Sequence, residues 1–568
     1  MIVYGDHPVP TTLAQLHTIA VAHLEEARAT PSGLARHVAL VAAFLAQAEI
    51  TRALADALFA EDREDRPHPQ VDAQMAMLVR LARAVAVSWR SSFRRTPVPR
   101  SGFAPPDRAV ATKPAEGFAF YALYPEAVLE AAARTAPGRD TIVVGLRGIG
   151  VAVATLAAAA LRSCCPTITL RPTGPPFARE IAASPALAAT VVDAPRALVV
   201  DEGPGLSGSS LAAAARWLGN AGVPGVTLLT SHPNPPGGEA SPETRAIWDA
   251  CARVSADFDA TILPQLPGWV AALAGEPIIG WEDLCAGAWA LPHPAPPRFA
   301  SPSLAGGGQR EAQGKGARLT PPPTDPARER RKYRATTATT RTLVKFAGLG
   351  DIGQAKLARA RALAAQQLTT EPIGLAHGFL VERWIDAGAP TPPTQAEITR
   401  YLEARIRLSP PNTGATLADL IAMARANIAE ALGEPAAAAF VIRAAGADRL
   451  ASRTVATDNR LHAWEWLRDA QGHLFKTDAL DHCEAHDLIG CQDIAWDIAG
   501  AGVELGADTA ALTTALGADP ALVALHGLLY PAFQLGLWTM ADHPRADVYA
   551  AHLNALLSVE PPRAAADR

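Results

Sequence analysis

The chain has 568 residues, which is too long for one hydrophobic core and predicts about three domains. Its residues are 49% hydrophobic and 19% charged, a composition typical of globular proteins, and the formal net charge of −5 argues against an extended nucleic-acid-binding surface. No apolar run approaches the roughly 20 residues that a bilayer requires, and no signal peptide is recognisable, so we expect a cytoplasmic protein without a membrane partner.

Residues 1–95 have the pattern of a helical bundle. Apolar side chains recur at helical spacing, as in Leu34, Val38, Val41 and Phe44, and Pro and Gly interrupt the pattern. We expect three or four helices that either cap the next domain or form a surface for a homo-oligomer. A Pro-rich linker over residues 96–114 follows.

Two apolar strands with unusual sequences after them mark a second domain over residues 115–290. The first, Thr141–Val144, is followed by glycines and Arg147, where a backbone turn could close on an anion. The second, Ala197–Val200, ends in Asp201 and Glu202. Because open α/β sheets bind ligands beyond the carboxyl ends of their strands, we expect a site at this edge.

The residues after the second strand separate two kinds of ligand group. Asp201 and Glu202 suit the hydroxyls of a ribose, directly or through Mg²⁺, whereas the turn of residues 207–210 opens a helix and suits a phosphate. This order resembles the phosphoribosyl-pyrophosphate (PRPP) motif of type I phosphoribosyltransferases. An ordinary strand, turn and helix junction is the alternative interpretation.

The resemblance implies a Rossmann-like parallel sheet and a set of PRPP-binding residues. Asp201 and Glu202 would hold the ribose and assist catalysis, and the remaining ligands would be Arg147, Gly148, Ser207, Gly208, Ser209 and Ser210. This chain departs from the motif in two respects. Its spacer between acids and turn is one residue longer, and it lacks the acidic residue often found before the turn.

A Pro- and Gly-rich linker with a basic end, residues 291–335, precedes a third domain over residues 336–568. That domain opens with a strand-like run containing Lys345. The following G-x-G-x-x-G, residues 348–353, is formally a dinucleotide fingerprint, but no second βαβ unit follows it.

Three acids further on, Asp458, Glu465 and Asp478, lie in or beside a predicted hairpin. Carboxylates brought together in this way can hold Mg²⁺ and accept a proton from an attacking hydroxyl. The layout resembles the aminoglycoside-phosphotransferase-like branch of the protein-kinase fold. The resemblance implies that Lys345 binds nucleotide phosphates, Asp458 is the catalytic base, Asp478 binds the metal, and Asp497 is the acid of the next helix.

Several positions depart from the kinase pattern. Ala463 stands where the family has a metal-binding asparagine, so Glu465 would have to replace it, and the helix after Lys345 has no glutamate. A degenerate lobe is therefore an alternative. His482 and His486 also have the i, i+4 spacing of a zinc site.

We therefore expect a multidomain α/β and α+β protein that consists of a helical bundle, a phosphoribosyltransferase-like domain and a kinase-like domain. It would be an enzyme that uses PRPP and ATP with Mg²⁺ on small-molecule substrates. The alternative function is a PRPP- or nucleotide-sensing scaffold with a pseudokinase domain.

Overall fold

The computed structural model describes residues 1–5, 7–100, 104–135, 138–285, 329–386 and 390–558. Three long helices form the amino-terminal bundle: α1 (Leu13–Ala29), α2 (Leu34–Asp62) and α3 (Pro69–Arg90). Strand β1 (Val9–Thr12) pairs antiparallel with β2 (Ala109–Thr112). The segment expected to be a linker, residues 96–114, thus contains a strand that is paired with the start of the chain.

A parallel sheet forms the middle of the molecule. Its elements are α4 (Glu116–Ala119), α5 (Pro125–Arg134), β3 (Thr141–Leu146), α6 (Gly150–Leu161), β4 (Thr167–Leu170), β5 (Pro172–Thr173), β6 (Glu180–Ile181), α7 (Pro185–Ala189), β7 (Arg196–Val200), α8 (Ser209–Asn220), β8 (Val226–Thr230), α9 (Pro242–Ala250), β9 (Ala252–Ser255), α10 (Phe258–Thr261) and α11 (Leu266–Ala274). The parallel strands have the order β4-β3-β7-β8-β9, and β5 and β6 form a small separate hairpin. The chain direction across the sheet reverses between β3 and β7, which is where such sheets bind ligands.

An antiparallel sheet of five strands follows. Its elements are β10 (Gly280–Asp283), β11 (Lys332–Thr336), β12 (Arg341–Phe346), α12 (Asp351–Ala364), β13 (Pro372–Ala376) and β14 (Phe379–Arg383), and the strand order is β10-β11-β12-β14-β13. The sheet begins earlier than the sequence indicates, because β10 precedes the expected boundary at residue 290. Strand β11 likewise lies in the basic end of the expected linker.

The remainder of the chain is mostly helical. Its elements are α13 (Gln395–Arg407), α14 (Leu417–Leu432), α15 (Glu434–Arg443), β15 (Thr454–Val455), β16 (Trp466–Arg468), β17 (Leu474–Lys476), β18 (Gln492–Asp493), α16 (Ile494–Leu505), α17 (Thr509–Leu516), α18 (Pro520–Met540) and α19 (Arg545–Ser558). Strands β16 and β17 form the hairpin that the sequence predicts after Trp464. The carboxy-terminal half thus consists of a sheet that carries Lys345 and a helical part that carries the acids.

One hydrophobic core connects the bundle and both large sheets. Leu78 of α3, Val143 of β3, Val344 of β12 and Phe379 of β14 are all fully buried in it. The three expected domains are therefore not separated by solvent. Burial of this shared apolar surface fixes the two sheets relative to each other.

Two helices, α2 and α18, are long and apolar enough to cross a membrane by length and composition. Most of each helix is buried inside the protein, as in the core helices of soluble proteins. They are weak evidence for a membrane span.

Candidate functional site

A cleft between the antiparallel sheet and the helical part brings together charged residues from both. Lys345 points into it from β12, and its Nζ lies 2.6 Å from Asp481 Oδ2 and also contacts Asp478. Burial would lower the pKa of Lys345, but Asp478 and Asp481 outweigh it and raise the pKa above its ordinary value. The sequence predicted the lysine and the first aspartate, whereas Asp481 was not singled out as a ligand.

Helix α12 contributes cations to the wall of this cleft. The Nζ of Lys356 donates to Asp481 Oδ1 at 2.6 Å, and Arg359 Nη2 donates to Glu484 Oε1 at 2.7 Å. The helix after Lys345, in which the sequence shows no glutamate, thus carries partners for acids instead. Sequence spacing did not indicate this match, because each pair joins residues that are 125 positions apart.

His482 lies between Asp478 and the deeper Asp458. Its Nε2 is 3.2 Å from Asp478 Oδ2 and its Nδ1 is 3.2 Å from Asp458 Oδ1. Burial would lower the pKa of His482, but the two aspartates outweigh it and raise the pKa to about 9. At neutral pH, His482 is therefore an imidazolium that connects both carboxylates.

Asp458, the expected base, is buried and surrounded by donors. It accepts a hydrogen bond from the Tyr401 hydroxyl, and Lys476 Nζ lies 3.3 Å from its Oδ2. Burial would raise the pKa of Asp458, but Lys476 and His482 hold it well below its ordinary value. Asp458 does not line the cleft itself; Lys476, which does, and His482, which contacts Asp478, connect it to the cleft.

Glu465 does not meet Asp478 in the cleft as the sequence analysis expected. It is buried, and Lys476 Nζ donates to its Oε2 at 2.7 Å. Burial raises the pKa of Glu465. The carboxylate that accompanies Asp478 in the cleft is Asp481, whereas Glu465 lies with Asp458 and His482, and ligand atoms of these three residues are within 4.8 Å of one another. The predicted metal-binding role of Glu465 stays a prediction.

Two further residues hold the loop that carries Asp458. The carboxylate of Asp497, on α16, accepts hydrogen bonds from the backbone amides of Asp458 at 2.7 Å and Asn459 at 2.9 Å. The buried guanidinium of Arg405 donates to the carbonyls of Ala456, Thr457 and Ala479. Both residues therefore position the site.

The alternative zinc pair of His482 and His486 does not converge. His482 faces the two aspartates, whereas His486 Nδ1 lies 3.4 Å from Glu116 Oε1 in a different part of the chain. The i, i+4 spacing failed because residues 482–484 form a short 3-10 turn and the chain is not helical at His486.

At the edge of the parallel sheet, Asp201 and Glu202 follow β7 as predicted. The Glu202 amide donates to Asp201 Oδ1 at 2.8 Å. Burial raises the pKa of Asp201 to about 7, and burial together with Glu116 and Asp201 raises the pKa of Glu202 to about 8. Such carboxylates favour a cation or hydroxyl donors beside them.

The serine turn is packed against the loop of the β5–β6 hairpin. The hydroxyls of Ser207 and Ser209 donate to the Pro176 carbonyl at 3.2 and 2.9 Å. Gly208 has a φ of +66°, which a side chain would strain, and Ser210 lies in the first turn of α8. An anion here would meet backbone amides rather than these two hydroxyls.

Arg147 points into the bundle and not toward a pyrophosphate position. Its Nη1 donates to the Ala55 carbonyl at 2.7 Å, and the guanidinium contacts Asp65 and lies 5.2 Å from the Phe59 ring centroid. Burial lowers the pKa of Arg147 to about 10. It joins the sheet to α2, so its expected role is corrected. Gly148 beside it has a φ of +129°.

Comparisons with known proteins complete the description of the site. No protein-family model matches the chain, and no curated protein matches it. Among solved structures it is similar to a choline kinase from Streptococcus pneumoniae, with 16% identity over 40% of this chain and 89% of that one and a TM-score of 0.31. It is also similar to a putative fructosamine-3-kinase from Thermobifida fusca, with 12% identity over 52% of this chain and 99% of that one and a TM-score of 0.31. A macrolide 2′-phosphotransferase from Brachybacterium faecium is 14% identical over 41% of this chain and 90% of that one, with a TM-score of 0.28.

Proposed function

We propose that the carboxy-terminal half is a kinase-like phosphotransferase that moves a phosphoryl group from ATP, with Mg²⁺, to a hydroxyl of a small metabolite. The observation that carries this proposal is the meeting of Lys345 from the sheet with Asp478 and Asp481 from the helical part. A lysine for phosphates opposite carboxylates for a metal is the arrangement that phosphoryl transfer from a nucleotide needs.

The residues of the cleft fit Mg²⁺. The Lys345 ammonium lies between the carboxylates of Asp478 and Asp481, so oxygen ligands already surround a positive charge at this position. Mg²⁺ in nucleotide enzymes is usually held by one or two carboxylates together with the phosphates. Asp478 and Asp481 would hold the ion, which would neutralise charge on the transferring phosphoryl group.

The route for the proton runs through His482 to Asp458. The oxygen of the acceptor hydroxyl would form a bond to the terminal phosphorus, and the bond from that phosphorus to the bridging oxygen would break, leaving ADP. The hydroxyl proton would pass to the side chains of His482 and Asp458, which lie 3.2 Å apart. At neutral pH the Asp478 charge keeps a proton on both nitrogens of His482, so only the form of His482 that has first released one proton to solvent would accept the hydroxyl proton.

The cleft is narrow in the described conformation, with a cavity volume of about 40 Å³, which admits water but not a nucleotide. A nucleotide therefore has to displace Lys345 from Asp478 and Asp481. This exchange of ion pairs favours phosphates as the entering group, because their negative charge replaces the carboxylates of Asp478 and Asp481 as the partner of the lysine ammonium.

Calorimetric titration with ATP tests the nucleotide site. We expect Mg²⁺-dependent binding that Lys345→Met weakens at least tenfold and Asp478→Asn makes insensitive to Mg²⁺. Arg341→Met is the matched control, since Arg341 lies on the same strand but pairs with the exposed Asp386. Unchanged binding in Lys345→Met contradicts the proposed site.

Release of ADP separates an enzyme from a sensor. A phosphotransferase forms ADP faster when its acceptor is present, so a panel of small hydroxyl-bearing metabolites should contain at least one compound that stimulates release. His482→Gln should lower the rate without lowering ATP affinity to the same extent. ATP binding with no stimulation by any acceptor supports the alternative of a nucleotide-responsive scaffold.

A second candidate function, PRPP-dependent phosphoribosyl transfer, rests on Asp201 and Glu202. They follow the central strand β7, where the strand order of the sheet reverses. Their pKa values of about 7 and 8 indicate carboxylates whose charged form a cation or sugar hydroxyls would stabilise. The Ser207 and Ser209 hydroxyls donate to the Pro176 carbonyl, so backbone amides of the turn would hold the phosphate.

Titration with PRPP and Mg²⁺ tests this second site separately. Binding that disappears in Asp201→Asn/Glu202→Gln and persists in Lys345→Met supports it. Pyrophosphate release over time would then distinguish transfer from sensing. A wild-type protein that binds no PRPP overturns this candidate and leaves the nucleotide site untouched.

A further inference from the structure

A buried cluster of two histidines and a glutamate lies where the bundle, the parallel sheet domain and the antiparallel sheet meet. His37 comes from α2, Glu126 from α5, and His377 from the turn between β13 and β14. Glu126 Oε1 lies 2.6 Å from His37 Nε2 and 3.1 Å from His377 Nε2. All three side chains are buried, with at most 2% of each residue exposed.

One polar atom in this cluster has no partner. Among the described residues, no hydrogen-bond donor reaches the second carboxylate oxygen of Glu126, Oε2. A buried acceptor left in this way costs free energy, on the order of 1–3 kcal/mol. One ligand atom from each of His37, Glu126 and His377 lies within 4.8 Å of the other two, and Glu126 Oε2 is a further acceptor without a partner.

Hydrogen bonds on the far side of His37 fix which of its nitrogens carries a proton. Its Nδ1 lies 2.9 Å from Ser88 Oγ, which lies 2.9 Å from Thr96 Oγ1, and that hydroxyl donates to the Phe93 carbonyl at 3.2 Å. The carbonyl can only accept, so the Thr96 hydroxyl donates to it, the Ser88 hydroxyl donates to Thr96, and Ser88 accepts from His37. His37 Nδ1 then carries the proton, and the Nε2 of a neutral imidazole presents a lone pair to Glu126.

A lone pair facing a carboxylate oxygen requires a positive charge between them. A proton on Nε2 would make His37 a buried imidazolium, whereas one metal ion would be shared by both Nε2 atoms, which converge on the same oxygen. Metal-bound histidines usually donate their other N–H to a second group, as His37 does to Ser88. The rings of Phe93 and Trp269, with centroids 4.8 Å from His37 and 5.3 Å from His377, supply an apolar shell.

We propose that His37, Glu126 and His377 form a structural zinc site that joins the three parts of the chain. Two imidazoles and a carboxylate are typical zinc ligands, and the second carboxylate oxygen can complete a four-coordinate set. Ca²⁺ and Mg²⁺ prefer oxygen ligands only and do not suit this cluster. The Tyr124 hydroxyl donates to the His377 carbonyl at 2.6 Å and holds the turn in place.

Metal content of the full chain tests the proposal. Protein stripped with chelator, incubated with zinc chloride and desalted should retain about one zinc per chain by mass spectrometry, as a structural site does. Loading with Co²⁺ instead should give the visible d–d absorption of a four-coordinate site. Zinc should also raise the melting temperature of the stripped protein, because the ion binds the folded state alone.

Variants assign the metal to these residues. Glu126→Gln and His377→Gln should reduce bound zinc to background, whereas His526→Gln should not, since His526 is a buried histidine whose Nδ1 bonds to its own helix at Leu522. Circular dichroism identifies variants that do not fold. Wild-type protein that retains no zinc overturns the proposal, as does undiminished zinc in folded Glu126→Gln.

Discussion

At the scale of single residues, buried charges organise the cleft and the loop behind it. Lys345, Asp481 and Lys356 alternate in sign, and Asp481 accepts from both lysines. Arg405 holds three carbonyls of the same region from the other side. These groups fix the geometry because each would be left buried and unpaired if its neighbour moved.

Arg405→Met should destabilise the protein. The change leaves the carbonyls of Ala456, Thr457 and Ala479 buried without their donor, so we expect a loss of about 2–4 kcal/mol in the free energy of unfolding. Denaturant unfolding measures it. Arg405→Lys should cost less, because an ammonium still bonds one carbonyl, and equal stability of Arg405→Met and wild type would refute this role.

Asp201 and Glu202 should make stability fall as pH rises. Their pKa values of about 7 and 8 in the folded state exceed their ordinary values of about 4, so the folded state retains protons that the unfolded chain has lost. Asp201→Asn/Glu202→Gln should therefore be more stable than wild type at pH 9, by about 1–2 kcal/mol after allowance for solvent screening.

This advantage should disappear below about pH 3, where both carboxylates are protonated in the folded and unfolded states. Thermal unfolding across the pH range checks it. Glu243→Gln is the control, because Glu243 is an exposed acid paired with Arg216. A difference that does not change with pH would show that these carboxylates are not held protonated.

The sequence predicted Lys345 within a strand and Asp201, Asp458 and Asp478 at the ends of strands, because a short apolar run with a charge is a local pattern. It did not predict the position of Glu465, the orientation of Arg147 or the bridging by His482. Each of these depends on a partner from another part of the chain. The spacing of residues carries no information about such partners.

At the scale of elements, β10 is an edge strand of the antiparallel sheet that the Pro-rich segment separates from β11 in the sequence. It pairs with β11 from Gly280 opposite Thr336 to Asp283 opposite Tyr333. Trp281 stacks on Tyr333 with ring centroids 5.0 Å apart. The sequence boundary at residue 290 separated these strands because the Pro-rich composition between them is typical of a linker.

Trp281→Ala should weaken this edge. Loss of the stacked ring should cost about 2 kcal/mol and increase amide hydrogen exchange in β10 and β11. Glu282→Ala, on the other face of the strand, removes an ion pair with Arg334 in which the acid is half exposed, and it should cost less than about 0.5 kcal/mol. Equal effects of both changes would show that β10 contributes little.

At the scale of the whole molecule, the first residues of the chain are bound by the carboxy-terminal helices. The backbone of Ile2 donates to Asn427 Oδ1 at 2.6 Å and accepts from Asn427 Nδ2 at 3.0 Å. Val3 is buried among the same helices, and its carbonyl accepts from the Leu488 amide at 2.9 Å. Parts that appear independent in the sequence are thus one folded unit.

Asn427→Ala should release this amino-terminal segment. Asn427 is fully buried and also donates to the Ala532 carbonyl, so we expect a loss of about 2 kcal/mol and faster hydrogen exchange in residues 1–5 and in α14. Asn554→Ala, at an exposed position of α19, is the control. Exchange that remains slow at residues 1–5 would mean that other contacts suffice to hold them.

The docking of Ile2 on Asn427 also sets a time order for biosynthesis. The two residues are 425 positions apart, so at typical translation rates Ile2 is synthesised tens of seconds before Asn427. During that interval Val3 lacks its native apolar surroundings and is open to chaperones. The segment therefore docks late, after the bundle and both large sheets have been synthesised.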